Sequence, residues 1–217
     1  VFDDVLARGG IVRGLAVPKG GSFSRGQLDK LTDIVKKAGA KGLVWIKSEN
    51  GTMTSVVSKF FTPEKLKEIF AATGAKDGEA ALIVADDYDI ACSALSSLRL
   101  SLAKELGLID TTKDRFLWVV DFPLLEYSPD DKRWVARHHP FTSPKNEHMD
   151  WLIHSDESKY GQLLAKAYDL VCNGYEIGGG SIRIYRNELQ AAMFKTLGMS
   201  SQEAEHKFGF FLEAFKY

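Results

Sequence analysis

Cysteine is scarce in this sequence, with only Cys92 and Cys172 in 217 residues, each inside an apolar segment. Two such residues exclude a disulfide framework and a paired-cysteine metal knot, and they match the usage of a reducing compartment. Charge of either sign is not in excess: 28 Lys and Arg face 29 Asp and Glu, for a formal net charge of -1. The broad basic face of a bulk nucleic-acid binder is therefore absent, although a local contact stays open. No apolar run approaches the roughly 18 residues of a membrane span, and the opening "VFDDVLARGG" lacks a signal-peptide layout, so a cytoplasmic protein is expected. The paired glycines of "VPKGGSFSRGQ" have neither P-loop nor dinucleotide-fingerprint spacing. What is present is apolar mass: 45% hydrophobic and 11% aromatic residues can fill one large core or two modest ones.

The first half alternates strand and helix signals. "IVRGLAV" reads as a strand, and Ser24 with Gln27 three residues on forms a capping-box signature. Leu28, Leu31, Ile34 and Val35 then recur at helical spacing up to Gly39. "KGLVWIK" and "TMTSVVS" flank Asn50-Gly51, a hairpin-turn signal. Thr62-Pro63 opens a short helix, "AALIVAD" is a strand, and a long apolar-faced helix ends at Gly107. The order strand, helix, strand, strand, helix, strand predicts a split βαβ sheet with helices on one face. Asp86, Asp87 and Asp89 fit helix-start acids favoured by the macrodipole better than a metal site.

Polar chemistry gathers in the second half. "FLWVVDFPLLEY" is nearly continuous apolar, as in a strand buried on both faces. "WVARHHPFTSPK" follows as a polar, turn-rich loop. His138, His139, His148 and His154 are close in sequence, but without HExxH spacing or a cysteine partner they are poor zinc ligands. Solvent-exposed or packed histidines remain the alternative. "SKYGQLLAKAYDLVCNG" is predicted as a helix ended by Asn173-Gly174, with Asp169 near its close. Asp169 and Glu176, at adjoining element ends, could share a hard cation such as Mg2+. In "YEIGGGSIRIY" three glycines interrupt a strand, which weakens it unless a backbone or ligand must come close. Strict alternation puts Glu176 and Arg183 on opposite faces unless a bulge resets the register.

"FLWVVDFPLLEY", "HHPFTSPK", "AYDLVCNGYEIGGGSIRI" and "KFGFFLEAFKY", in this order, closely resemble the bacterial-type aspartyl-tRNA synthetases, class II ligases. The first half resembles the GAD domain inserted into their catalytic domain. The resemblance implies an α+β fold, with a GAD-type domain over 1–114 and part of a class II antiparallel-sheet catalytic domain over 115–217. It also implies ATP-dependent activation of L-aspartate with Mg2+ and transfer to the 3′ end of tRNA(Asp). Carried over by position, Glu176, Gly178, Gly179 and Arg183 would contact ATP, with the glycines, Gly180 included, letting its phosphates and ribose approach backbone. Asp169 and Glu176 would hold the metal, and His138, Ser181 and Arg183 would face the amino acid. Arg183 would read the aspartate side chain, since a guanidinium fork matches a carboxylate bidentately while an amide sets donor against donor.

The sequence departs from the family pattern by lacking the anticodon-binding OB domain and the first, second and third class II motifs. An internal fragment, inactive alone, is expected; the family's homodimer would form in the full-length enzyme. Ser200 and Glu203 have capping-box spacing before an aromatic face of Phe208, Phe211, Leu212 and Phe215, which packs either on the preceding sheet or on a partner outside the chain. Two alternatives stand beside the ligase reading: a non-catalytic scaffold or tRNA-contacting module, and a non-discriminating enzyme that also charges tRNA(Asn).

Overall fold

The computed structural model describes residues 2–213, in which the chain divides into two compact units, Val1–Asp110 and Thr111–Tyr217. Phe215 of the aromatic face lies outside the described residues. The architecture is mixed α+β with antiparallel sheets. Among the described residues no helix is long and apolar enough to cross a membrane.

The first unit contains α1 (Asp3–Ala7), β1 (Ile11–Val17), α2 (Arg25–Lys37), β2 (Val44–Glu49), β3 (Thr52–Ser55), α3 (Pro63–Ala72), β4 (Ala80–Asp86) and α4 (Tyr88–Glu105). The sheet order is β1-β4-β2-β3, and β4 is antiparallel to both β1 and β2. β1 and β2 thus run the same way with β4 between them, the expected split βαβ arrangement. The capping box forms at Ser24 and Gln27, while the Thr62 hydroxyl accepts from the Lys65 N–H before Pro63. Asn50 and Gly51 take φ values of 50° and 74°, the pair of positive values that a type I′ hairpin requires.

One expectation needs correcting here: the helices do not share a face. Leu28, Leu31 and Val35 of α2 and Ala91, Ala94 and Leu98 of α4 pack with Ala80, Leu82 and Val84 of β4. Leu66 and Phe70 of α3 cover Ala81 and Ile83 on the reverse side. The reason lies in β4, which is apolar at each position from Ala80 to Val84 and must be shielded on both faces. At its end Asp86 is a strand residue, only 2% exposed, and accepts from Arg8 at 3.0 Å, from the Asp87 N–H at 3.0 Å and from the Lys41 N–H at 3.2 Å. Burial opposes its charge, but these donors prevail and hold the carboxyl below its ordinary range.

The second unit contains β5 (Phe116–Val119), β6 (Leu125–Ser128), β7 (Arg133–Ala136), α5 (Met149–Ile153), β8 (Ala167–Cys172), β9 (Tyr175–Ser181), α6 (Asn187–Thr196) and α7 (Ser201–Leu212). β5, β8 and β9 form an antiparallel sheet in that order, and β6 and β7 form a separate hairpin. Leu125, Leu152, Leu163, Ile184, Leu189 and Met193 join one core. The Ser200–Glu203 capping box forms, and Phe208 and Phe211 of α7 pack their rings against Phe141 at centroid distances of 5.2 and 4.5 Å.

Two further expectations fail in this unit. The helix expected over 158–174 is instead a 3-10 turn, Glu157–Gln162, followed by β8, so Asp169 belongs to a strand. Asn173 and Gly174, at φ 50° and 88°, turn the β8–β9 hairpin rather than cap a helix. β5, expected to be buried on both faces, has Phe116 62%, Leu117 54% and Trp118 59% exposed. It forms the edge of a three-stranded sheet whose faces, at β5, are left uncovered by the described residues.

Candidate functional site

The site begins with a break in strand pairing. Leu170 of β8 lies opposite Gly178 of β9, yet the next residue, Val171, lies opposite Glu176. Ile177 is therefore an extra residue, a β-bulge. Without it, Glu176 would share a face with Gly178 and point away from Gly179, Ser181 and Arg183. With it, Asp169, Glu176, Gly179 and Ser181 occupy one face, because residues directly opposite in a ladder point the same way. Arg183, two residues beyond Ser181, continues that row and bridges to Thr142.

The three glycines differ in what surrounds them. A Cβ on Gly179 would stand 2.4 Å from Asp169 Oδ1 and 3.1 Å from Glu176 Oε1. The space a side chain would fill is thus occupied by two carboxylates that converge from neighbouring strands. On the opposite face, a Cβ on Gly180 would meet the Tyr168 hydroxyl at 3.0 Å, and Tyr168 sets its ring edge-on to Trp118. Gly178 has nothing within 4 Å. Only the second and third glycines are therefore demanded by packing within the chain.

At the other end of the row, Arg183 Nη1 donates to Ser181 Oγ at 2.5 Å and meets Nε2 of His139. Among the described residues no carboxylate pairs with this guanidinium. The exposed Arg183 and the half-buried Ser181 stand about 13 Å or less along the strand from Gly179, at the usual rise per residue. Thr142, buried, sets its hydroxyl 3.4 Å from Ser181 Oγ. This "HHPFTSPK" segment is held by backbone bonds from Ser143 N–H to the Ile182 carbonyl and from Ile184 N–H to the Phe141 carbonyl, each side of the Thr142–Arg183 bridge.

The two adjacent histidines part company. His138 is exposed and lies edge-on to Phe122, centroids 5.3 Å apart. His139 is the one beside Arg183, and its Nδ1 accepts from the Phe141 N–H at 3.2 Å. Burial lowers its pKa below the ordinary imidazole value, and the neighbouring Arg183 guanidinium lowers it further. A protonated ring would oppose donors at both nitrogens, so the neutral form is favoured. His148 accepts from the Leu164 N–H and stacks on Trp151, while His154 donates to the Asp150 carbonyl. Among the described residues no group of three or more His, Cys, Asp or Glu side chains is placed to hold a metal by itself. Lys145 is bound to Asp121, whose carboxylate raises the pKa of the ammonium.

The geometry joins Asp169 with Glu176 and Arg183 with Ser181 on one face; the histidine that meets Arg183 is His139, and His139 and Thr142 are additional residues that the sequence reading did not single out. Their signal was the histidine doublet next to a hydroxyl pair in a polar, turn-rich loop. Chemically, the row offers two acids for a hard cation and a charge-assisted donor fork for an anionic group.

The profile of the class II tRNA synthetases (D, K and N) matches residues 23–217, and the chain belongs to that family. It is 50% identical over 217 residues to the aspartate–tRNA(Asp/Asn) ligase of Caldanaerobacter subterraneus subsp. tengcongensis. It is 48% identical over 218 residues to the aspartate–tRNA ligase of Halalkalibacterium halodurans and 46% over 219 residues to that of Staphylococcus carnosus. Each comparison covers 100% of this chain and 36% of the relative.

Proposed function

We propose that the full-length protein containing this chain is an aspartate–tRNA ligase, and that the β8–β9 face is the wall of its adenylation site. The observation that carries this reading is the bulge at Ile177, which gathers two carboxylates and a guanidinium onto one face around a glycine. Arg183 supplies donors for the aspartate side-chain carboxylate, with Ser181 orienting the guanidinium. The aspartate α-carboxylate attacks the α-phosphorus of ATP, pyrophosphate leaves, and the aspartyl group passes to a terminal ribose hydroxyl of tRNA with release of AMP. Such chemistry is governed by positioning and by neutralising charge.

Asp169 and Glu176 fit Mg2+, which commonly takes one or two carboxylates and completes its shell with water and phosphate oxygens. The ion would neutralise phosphate charge. Neither acid has an ion-pair partner among the described residues, in keeping with a role toward a cation from outside the chain. His138 and the neutral His139 border the amino-acid end of the row. Gly178, whose open side is turned away from the acids, contributes only its backbone to this face. The first unit is read as the inserted GAD-type domain, and the full-length enzyme as a homodimer.

Aspartate-dependent exchange of pyrophosphate into ATP by the full-length protein tests this reading. Exchange with aspartate and not with asparagine is expected; no exchange would leave a binding or scaffold module. Relatives named aspartate–tRNA(Asp/Asn) ligase and relatives named simply aspartate–tRNA ligase stand at similar identity. Charging assays on the two tRNAs decide between single and dual specificity.

A further inference from the structure

We propose that a pocket between the β6–β7 hairpin and the C-terminal end of α6 binds a nucleotide unit of the RNA phosphate backbone. The choice of RNA as the polyanion rests on the ligase reading; the pocket's preference for an anion does not. Its volume is about 410 Å³, and Lys132, Arg133 and Lys195 all line it. These three cations face one carboxylate, that of Glu157. The C-terminus of α6 adds about half a negative charge, which leaves a surplus of about 1.5 positive charges.

The cations are not consumed by the fold. Among the described residues neither Lys132 nor Lys195 pairs with a carboxylate. Arg133 donates from Nη1 to the Leu197 carbonyl at 3.2 Å, one of the five donors its guanidinium carries. The acids of the hairpin turn, Asp130 and Asp131, do not line the pocket, and Asp131 is tied to Ser128.

The aromatic side of the pocket is built from packed rings. Trp134 packs edge-to-face between Tyr127 and Tyr160, with centroids 5.6 and 5.8 Å away. The Tyr160 hydroxyl accepts from Thr196 at 3.0 Å, which ties this ladder to α6. Cations arranged beside aromatic surface are the recognition chemistry of single-stranded nucleic acid. Size selects within that chemistry, because a bare phosphate ion would leave most of 410 Å³ empty, whereas a nucleotide unit places sugar or base on the aromatic side.

The test is fluorescence anisotropy of an end-labelled eight-nucleotide single-stranded RNA titrated with the 217-residue chain over a series of salt concentrations. Lys132→Glu/Lys195→Glu should weaken binding by roughly tenfold or more, and Lys132→Gln/Lys195→Gln should reduce the slope of log K against log salt by about 1.4, the share of two phosphate contacts. Both variants should keep the native urea midpoint. Undetectable binding by the native chain, or equal affinity and slope in the variants, overturns the proposal. Displacement of the RNA by inorganic phosphate at concentrations where adenosine monophosphate is no better overturns the choice of a nucleotide unit. Pyrophosphate exchange by full-length protein carrying the same substitutions separates the two readings. Exchange with lysine-independent RNA binding removes only the pocket, while lysine-dependent binding without exchange in the native protein removes only the ligase assignment.

Discussion

Gly179→Ala should disable the proposed adenylation face while leaving the fold intact. The added methyl would sit 2.4 Å from Asp169 Oδ1, where ordinary contact begins near 3.4 Å, so the carboxylate must retreat by about 1 Å. Asp169 can do this by rotating its side chain. The Tyr168 carbonyl at 3.2 Å needs to give by only a few tenths of an ångström. Gly179 does not have positive φ, so alanine is tolerated by the backbone and restricts the unfolded chain, a gain of about 0.4 to 1 kcal/mol that offsets the crowding. Unfolding free energy in urea should therefore change by less than about 1 kcal/mol. A 1 Å displacement of a positioning group can cost about 100-fold in rate, and that loss is expected in aspartate-dependent pyrophosphate exchange by the full-length protein, together with a raised Mg2+ requirement. Gly178→Ala is the internal control, because its methyl would meet nothing within 4 Å inside the chain. Equal exchange rates and Mg2+ dependence for Gly179→Ala and the native protein would refute the claim that Asp169 and Glu176 act as a pair.

Three other outcomes follow from the same geometry. Arg183→Lys replaces a two-donor fork by a point charge and should weaken aspartate activation by about 10- to 100-fold in kcat/KM, the equivalent of about 1.5 to 3 kcal/mol; an unchanged value would remove Arg183 from substrate recognition. His139 has its folded pKa below the unfolded value near 6.5, so its contribution to stability is complete above that value and is lost as pH falls through the lowered pKa; urea midpoints of the chain should fall between pH 7 and pH 5 by more than those of His139→Gln. Asp86→Ala removes a buried carboxylate that accepts from Arg8 and from the Lys41 and Asp87 N–H groups, and should cost about 1 to 3 kcal/mol of unfolding free energy, whereas Arg8→Ala, removing a 40% exposed partner, should cost less.

Local signals that act within a few residues were legible in the sequence. The capping boxes at Ser24 and Ser200 and the turn at Asn50-Gly51 each depend on residues at most three apart, and each forms. The segment before Asn173-Gly174 was misread because Leu163, Leu164, Ala167, Leu170 and Val171 fall on one helical stripe as well as on a turn followed by a strand. What decides against the helix is pairing on both sides: Val119 lies opposite Asp169 on β5, and Gly179 lies opposite it on β9. The β5 partner, far away in sequence, leaves no local mark, whereas Asn173-Gly174 marks the β8–β9 turn and is equally compatible with a helix end. The same limit applies to β4, where the apolar run was visible but the covering of its second face by α3 was not. At the candidate site, Asp169, Glu176, Ser181 and Arg183 were legible from the resemblance, while His139 required the fold that turns it toward Arg183.

The spacing of Glu176 and Arg183 connects sequence to site most directly. Seven is odd, and a regular strand sends such a pair to opposite faces. A row that uses both therefore needs one unpaired residue between them, on the Glu176 side of the glycines if Gly179 is to remain beneath the acids. Ile177 is the only residue that meets this condition, since it alone separates Glu176 from Gly178, and it is the residue skipped in the pairing with β8. Its side chain is 56% exposed, so the bulge does not remove a core contact. The glycine run answers a different demand: Gly179 keeps space for two carboxylates on one face, and Gly180 keeps space for Tyr168 on the other. Bulge and glycines thus solve separate parts of one problem, the first setting which side chains share a face and the second clearing the floor on which they meet.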